Sequence, residues 1–431
     1  MSELASSVAE SGSGPGSGPG FSETDEYLAA LRERLTVPRD TDYLLLAGGL
    51  PADAADARAR MRAFVDTRVL PVINGYWERA EFPWELLPDL AATGLVGGVI
   101  RGHGAAGLSR LAAGLATVEL ARGDGSVNTF LGVQANLTMG TINLLGSEEQ
   151  KGRWLPGMVR LEKIGAFALT EPRHGSDSAQ LETTARRDGD SWVINGAKRW
   201  IGNGSMAHLV VIWARDEADG EVKAFVMERE DPRNPESVPE GFSARTIDGK
   251  IGKRAILQAD LGFDSLRIPE ANRLPEANSF KDTSRVLATT RGGASWEALG
   301  HGIACFEAAV AYTEVREQFG QPIATYQLVQ ATLASMLAEL TAMQLICFRM
   351  AELQEAGKWS GTMASLAKMH TSNKARTIAQ QARDLLGGNG LLLDFHVARH
   401  LTDMEVVHTY EGTEFIQSLL IGRKVTGRSA F

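Results

Sequence analysis

One carboxylate near the C-terminus has neighbours suited to chemistry on carbon. In HTYEGTEFIQ, residues 408–417, Glu411 stands between Tyr410 and Gly412, just ahead of an apolar-periodic run. One reading is local. Acidic residues are favoured at helix N-termini, where free N–H groups and the dipole stabilise them. Thr413 suits an N-cap, and Gln417 lies near capping-box distance. The other reading makes Glu411 a base that removes a proton from a substrate carbon. These ten residues leave both open.

Four further stretches carry groups suited to a cofactor. In AFALTEPRHGSD, residues 166–177, a strand-like run ends in Thr-Glu-Pro and then Gly-Ser-Asp. Hydroxyls and N–H groups at a strand end can bind a flat polar heterocycle or a phosphate, although the same residues are common in ordinary turns. In GAKRWIGNG, residues 196–204, Trp200 and Ile201 could cover one face of an aromatic cofactor, while Asn203 suits a turn. A tryptophan in a strand is more often core. In VREQFGQPIATYQ, residues 315–327, Arg316 could meet a phosphate or simply end a helix. In RDLLGGNG, residues 383–390, the Gly387–Gly388 pair could end a helix and admit a ligand close to the backbone.

The elements that must position these groups follow from pattern. Residues 1–22 contain SGSGPGSGPG and are expected to form a flexible tail. From 23 to 164 apolar residues recur at three and four, rich in Ala, Leu and Gly, as in helices that pack closely through small residues. From 165 to 275 short β-branched and aromatic runs alternate with Gly, Asn and Asp turns, predicting an antiparallel β domain. From 276 to 431 long amphipathic helices return, suited to a bundle or a subunit interface. The chain is thus predicted to be a multi-domain α+β protein, with the β domain inserted between helical ones.

Composition narrows the classes. The 431 residues carry a net charge of -9, which argues against a nucleic-acid binder. The 2 cysteines, Cys305 and Cys347, lie in apolar helical runs and read as core. No apolar run is read as a membrane span, and no secretory signal is read at the N-terminus, so a cytoplasmic location is expected. The 8 histidines form no HExxH or Cys/His pattern, and no GxSxG or strand-linked GxGxxG occurs. No metal site is expected.

Taken together, LTEPRHGSD, RWIGNG, REQFGQPI, LLGGNG and YEGT, in this order, resemble the acyl-CoA dehydrogenase flavoproteins, nearest the glutaryl-CoA dehydrogenase and short-chain acyl-CoA oxidase branch. The resemblance covers residues 40–431. It implies an N-terminal helical domain, a middle β domain and a C-terminal four-helix bundle, in a homotetramer that binds FAD. Phe167, Leu169, Thr170, Ser176, Trp200, Ile201 and Gly202 would line the flavin. Arg316, Gln327, Gly387 and Gly388 would reach the FAD of a neighbouring subunit, and Thr413 its adenosine. Ser176 and Arg291 would meet the CoA portion of the substrate. Tyr410 and Gly412 would sit at the acyl group.

Glu411 matches the family's catalytic base. The implied reaction is α,β-desaturation of a short or branched acyl thioester, with the α-proton going to Glu411 and the β-hydrogen to flavin N5 as hydride. An electron-transferring flavoprotein or O₂ would then take the electrons, and the acyl group would ride on CoA or a carrier protein. The alternative base position in some members is Thr290 here, which cannot serve. The positions of the arginine and serine that hold glutarate's distal carboxylate align with Asn128 and Gly132. A dicarboxylyl substrate would therefore bury an unpaired charge. Gly292 and Gly293 stand where larger residues are usual, so a wider acyl pocket is expected.

Overall fold

The structure, a computed structural model, describes residues 19–429. The tail predicted over 1–22 lies outside the described residues up to position 18. The first helix already starts at Pro19, because proline is tolerated in a first helical turn. The N-terminal region comprises α1 (Pro19–Leu35), α2 (Ala52–Phe64), α3 (Ile73–Arg79), α4 (Leu87–Ala92), α5 (Arg110–Gly123), α6 (Gly125–Leu131), α7 (Gly140–Leu145) and α8 (Glu148–Val159). Residues Gly132–Met139 join α6 to α7 as a π-helical segment, in which Thr138 Oγ1 also bonds the Val133 carbonyl five residues back at 2.9 Å.

The middle region holds β1 (Gly165–Ala168), β2 (Thr184–Asp188), β3 (Ser191–Gly202), β4 (Leu209–Asp216), β5 (Val222–Glu228), β6 (Phe242–Thr246) and β7 (Gln258–Pro269). Pairing is mostly antiparallel, with one departure from expectation: β1 and β2 both run parallel to β4. That is possible because long connections, not tight hairpins, lead from each into β4. β4 is buried along almost its whole length, which explains its unbroken apolar run, LVVIWA.

The C-terminal region comprises α9 (Phe280–Val315), α10 (Gln327–Glu355), α11 (Gly361–Leu385), α12 (Val397–Thr409) and α13 (Glu414–Thr426). The first four pack on one another as a bundle, with α13 against α11. Close packing through small residues is visible where α5 meets α9. A Cβ on Gly114 would lie 2.2 Å from the Trp296 ring, and one on Gly300 2.4 Å from the Val118 carbonyl. Contrary to the sequence reading, α10 is long and apolar enough by length and composition to cross a membrane. Here it packs Met336, Leu340, Met343, Cys347 and Met350 into the bundle. Cys305 and Cys347 are buried and unpaired, and burial pushes both thiols up.

Candidate active site

Glu411 sits in the short turn between α12 and α13, and the turn is strained. Its φ is 56°, left-handed for a non-glycine residue, followed by Gly412 at 87°. Such geometry persists only where surroundings enforce it, and it clusters at functional sites. Two buried side chains do the enforcing. Gln417 Nε2 donates to the Glu411 carbonyl at 2.8 Å and the Gly412 carbonyl at 3.1 Å. Lys368 Nζ, from α11, donates to the carbonyls of His408 and Gly412, each at 2.8 Å. Thr413 does cap α13, accepting from the Ile416 N–H at 3.4 Å. Gln417 forms no capping box, since its amide turns back to hold the Glu411–Gly412 turn.

The carboxylate itself is desolvated. Burial raises its pKa above the ordinary 4.5, opposed by the Arg291 charge, a hydrogen bond from Thr290 and the Lys368 charge. Thr290 Oγ1 donates to Glu411 Oε2 at 3.1 Å. Thus Thr290, which cannot act as a base, holds the Glu411 carboxylate. The Glu411 N–H donates to no group among the described residues.

Glu411 faces a cleft of about 350 Å³ whose walls come from α6, the π-helical segment, β1, β3, α9 and the α12–α13 turn. Phe167, Leu169, Thr170, Ser176, Trp200, Ile201 and Gly202 all line it. So do Asn128, Arg291, Tyr410 and Gly412. The fit to a flavin rests on two observations. The Thr170 and Ser176 hydroxyls have no partner among the described residues, and Trp200 is held half-exposed at a left-handed φ of 63°. Arg199 braces that indole, lying 5.2 Å over its ring while paired with Asp260 at 2.9 Å. Gly202 has a simpler reason, for a Cβ there would lie 2.8 Å from Val133. Asn203 does close the turn, donating to the Gly165 carbonyl at 3.1 Å.

Arg291 lines the cleft, with Nη1 donating to Ser365 Oγ at 3.4 Å. Its Nε is buried without a partner, and burial lowers its pKa. The two glycines after it differ in role. Gly293 lines the cleft, whereas a Cβ on Gly292 would lie 3.1 Å from Met350 on α10, so only Gly293 opens the pocket wall.

Five expected cofactor residues lie away from this cleft. Arg316 ends α9 and donates to the Tyr27 hydroxyl at 3.2 Å. Gln327 opens α10 and is exposed. Gly387, at φ 58°, and Gly388 form an exposed turn after α11, where an added Cβ meets nothing. Thr413 is engaged as the α13 cap.

Other polar groups at the site escaped the sequence reading. Glu297, on α9, lines the cleft and accepts from Tyr410 Oη and from the fully buried Lys253, which holds its carboxyl down to about 2 against burial. No local pattern signals this trio, because α9, the β6–β7 connection and the α12–α13 turn meet only in three dimensions. In the connection between β1 and β2, Glu171, His174 and Glu182 come close enough to hold an ion. Both Glu171 oxygens are already used, by Lys198 Nζ at 2.9 Å and by the N–H groups of Glu182 and Thr183. Glu182 is engaged by Arg173.

Comparison with known proteins agrees with this geometry. Three family models match in succession: the acyl-CoA dehydrogenase N-terminal domain over residues 51–162, the middle domain over 166–266 and the C-terminal domain over 280–426. The chain is 34% identical over 377 residues to the short-chain specific acyl-CoA dehydrogenase of Bos taurus mitochondria, covering 86% of this chain and 90% of that protein. Glutaryl-CoA dehydrogenase from Mycobacterium smegmatis superposes with a TM-score of 0.87 at 39% identity, covering 91% of this chain and 100% of that one. A second structure of a glutaryl-CoA dehydrogenase from that organism, in complex with FADH2, gives 0.85 at 37%, covering 89% and 96%. A structure described as an electron transferring flavoprotein of Acidaminococcus fermentans gives 0.83 at 28%, covering 88% and 99%.

Proposed function

The chain belongs to the acyl-CoA dehydrogenase family, and on that premise we propose that Glu411 is the base of an FAD-dependent α,β-desaturation of a short or branched, uncharged acyl-CoA. The observation that carries this assignment is a desolvated carboxylate on a strained turn, facing the cleft that Trp200, Thr170 and Ser176 line.

Each chain residue has a definite task in this reading. The α C–H of a thioester is a very weak acid, so the carbonyl oxygen must be stabilised as charge develops on it. The unpaired Glu411 N–H is available for that. Burial makes the Glu411 carboxylate a better matched base than one in water. The Thr290 hydroxyl fixes its orientation, and Lys368 and Gln417 fix the backbone beneath it. Arg291, which lines the cleft, offers its guanidinium charge to the CoA portion. Phe167, Leu169, Trp200 and Ile201 supply the apolar walls, and Thr170 and Ser176 the hydroxyls, of the FAD site. FAD, when bound, supplies the hydride acceptor.

The same reading takes Arg316, Gln327, Gly387 and Gly388 as completing the FAD site of a second copy of the chain, with Thr413 at the adenosine. It takes an electron-transferring flavoprotein as the electron acceptor and the cytoplasm as the location. The likeness to the Acidaminococcus structure supports the acceptor. Anaerobic addition of butyryl-CoA to the FAD-loaded protein tests the assignment. Bleaching of the flavin that persists until an electron-transferring flavoprotein is added is expected. A flavin that stays yellow with every acyl-CoA refutes it, and rapid re-oxidation by air alone refutes the choice of acceptor.

A further inference from the structure

One wall of the cleft is polar, lined by Asn128, Thr129 and Glu297. Asn128 is only 7% exposed and lines the cleft, and its side-chain amide has no hydrogen-bond partner among the described residues. An amide that opens only onto a cleft is satisfied by water or by a ligand there. Thr129 follows it on α6 and also lines the cleft, 3.5 Å from Glu297 Oε1. Glu297, 3% exposed, accepts from Tyr410 on one oxygen and from Lys253 on the other. A carboxylate has about four lone-pair sites, so Glu297 retains accepting capacity toward the cleft.

Donors are distributed less freely. All three N–H bonds of Lys253 are taken, by Glu297, by Thr129 at 2.6 Å and by Tyr410 at 3.0 Å. The ammonium therefore balances Glu297 and has nothing left for a second anion. What remains is one amide that can donate and accept, and one carboxylate that can accept. A hydroxyl matches both, giving its proton to Glu297 and receiving one from Asn128. A methyl group leaves the amide unpaired, and a carboxylate meets the Glu297 charge.

We propose that this wall is a specificity site for a distal hydroxyl, and that the preferred substrate is a short acyl-CoA hydroxylated beyond its β-carbon. The inference rests on the dehydrogenase reading above and names its substrate class. It treats Asn128 and Glu297 as specificity-determining groups, with Lys253 and Tyr410 as positioning residues.

The test compares each hydroxyacyl thioester with its methyl isostere on the FAD-loaded protein: 4-hydroxybutyryl-CoA with valeryl-CoA, and 5-hydroxyvaleryl-CoA with hexanoyl-CoA. One unmade hydrogen bond with a buried partner left unpaired is worth about tenfold or more in kcat/KM. We expect at least that preference for one hydroxyacyl member, and its loss in Asn128→Leu. Calorimetric titration of the Glu411→Gln protein with the same thioesters reads binding without turnover and should show the same ratio. Equal or stronger use of the alkyl isosteres by the wild-type protein overturns the inference while leaving the dehydrogenase reading intact. If no thioester in the panel, butyryl-CoA included, reduces the flavin, the underlying reading fails and the inference falls with it.

Discussion

An alanine at Gly412 should damage both the fold and the rate, by amounts that can be apportioned. Gly412 has φ of 87°, and a Cβ there would lie 2.2 Å from Gln417 Nε2. Holding an L-residue in the left-handed region costs roughly 1–2 kcal/mol. Gln417 is fully buried, so it can yield only by releasing the carbonyls of Glu411 and Gly412. Those two hydrogen bonds are worth about 1 kcal/mol each. Gly412→Ala is therefore expected to cost roughly 3–4 kcal/mol, the strain and the lost bonds together. Freed from its tether, Glu411 would shift, and a misplacement of about 1 Å costs on the order of 10²-fold in rate. Gln417→Ala should cost about 2 kcal/mol, since it loses only the bonds. The double variant should be no worse than Gly412→Ala, giving a coupling of about 2 kcal/mol. Denaturant unfolding and stopped-flow flavin reduction by butyryl-CoA read the two effects. Additive stabilities, or a Gly412→Ala protein with native rate, would show that the turn is not held in this way.

The pH profile should follow the Glu411 environment. Its pKa is raised above 4.5 and the base must be deprotonated, so kcat/KM should rise with pH through that raised value. Lys368→Met removes a charge that opposes the rise and should move the acid limb to higher pH; an unmoved limb would exclude Lys368 from tuning the base. Glu297 contributes stability that is complete above its unfolded 4.5 and is lost as pH falls toward about 2, so wild type should lose more stability over that interval than Glu297→Gln in matched acid titrations. Glutaryl-CoA should turn over poorly beside butyryl-CoA, because Asn128 carries no charge and Lys253 has no N–H to spare; equal turnover with release of carbon dioxide would contradict this. Light scattering should give a tetramer, since Phe319, Leu328, Phe415 and Val425 are largely exposed apolar side chains; a fully active monomer would contradict this.

Much of the architecture was legible because its signals are local. The change from helical to strand periodicity falls near Gly165, where β1 begins, and the runs around Trp200 and Trp213 appear as β3 and β4. Glu411 was legible because YEGT is short and contiguous. The groups that tune it were not. Lys368 reads as an ordinary polar position of an amphipathic helix and is buried only because α12 and α13 close over it. Lys253 and Glu297 are 44 residues apart. Their pairing depends on how the β6–β7 connection docks on α9, and single-sequence periodicity carries no information about such docking. Gln417 was assigned to a cap by spacing, whereas two carbonyls left unpaired by a strained turn were the stronger claimants. The parallel pairing of β4 was hidden for a related reason, since strand character does not encode partner direction.

Proton removal from carbon falls to Glu411 in this mechanism. Glu411→Gln keeps the side-chain size and the backbone N–H, and Gln cannot accept the α-proton. Single-turnover reduction of its bound FAD by butyryl-CoA, measured anaerobically beside the melting temperature, is the direct measurement. Retained FAD and thioester binding are expected, with reduction slowed by at least about 10²–10⁴-fold. A variant that reduces its flavin at nearly the native rate, with only a loss under about 1 kcal/mol in stability, would leave Glu411 as a helix-start residue and contradict the account.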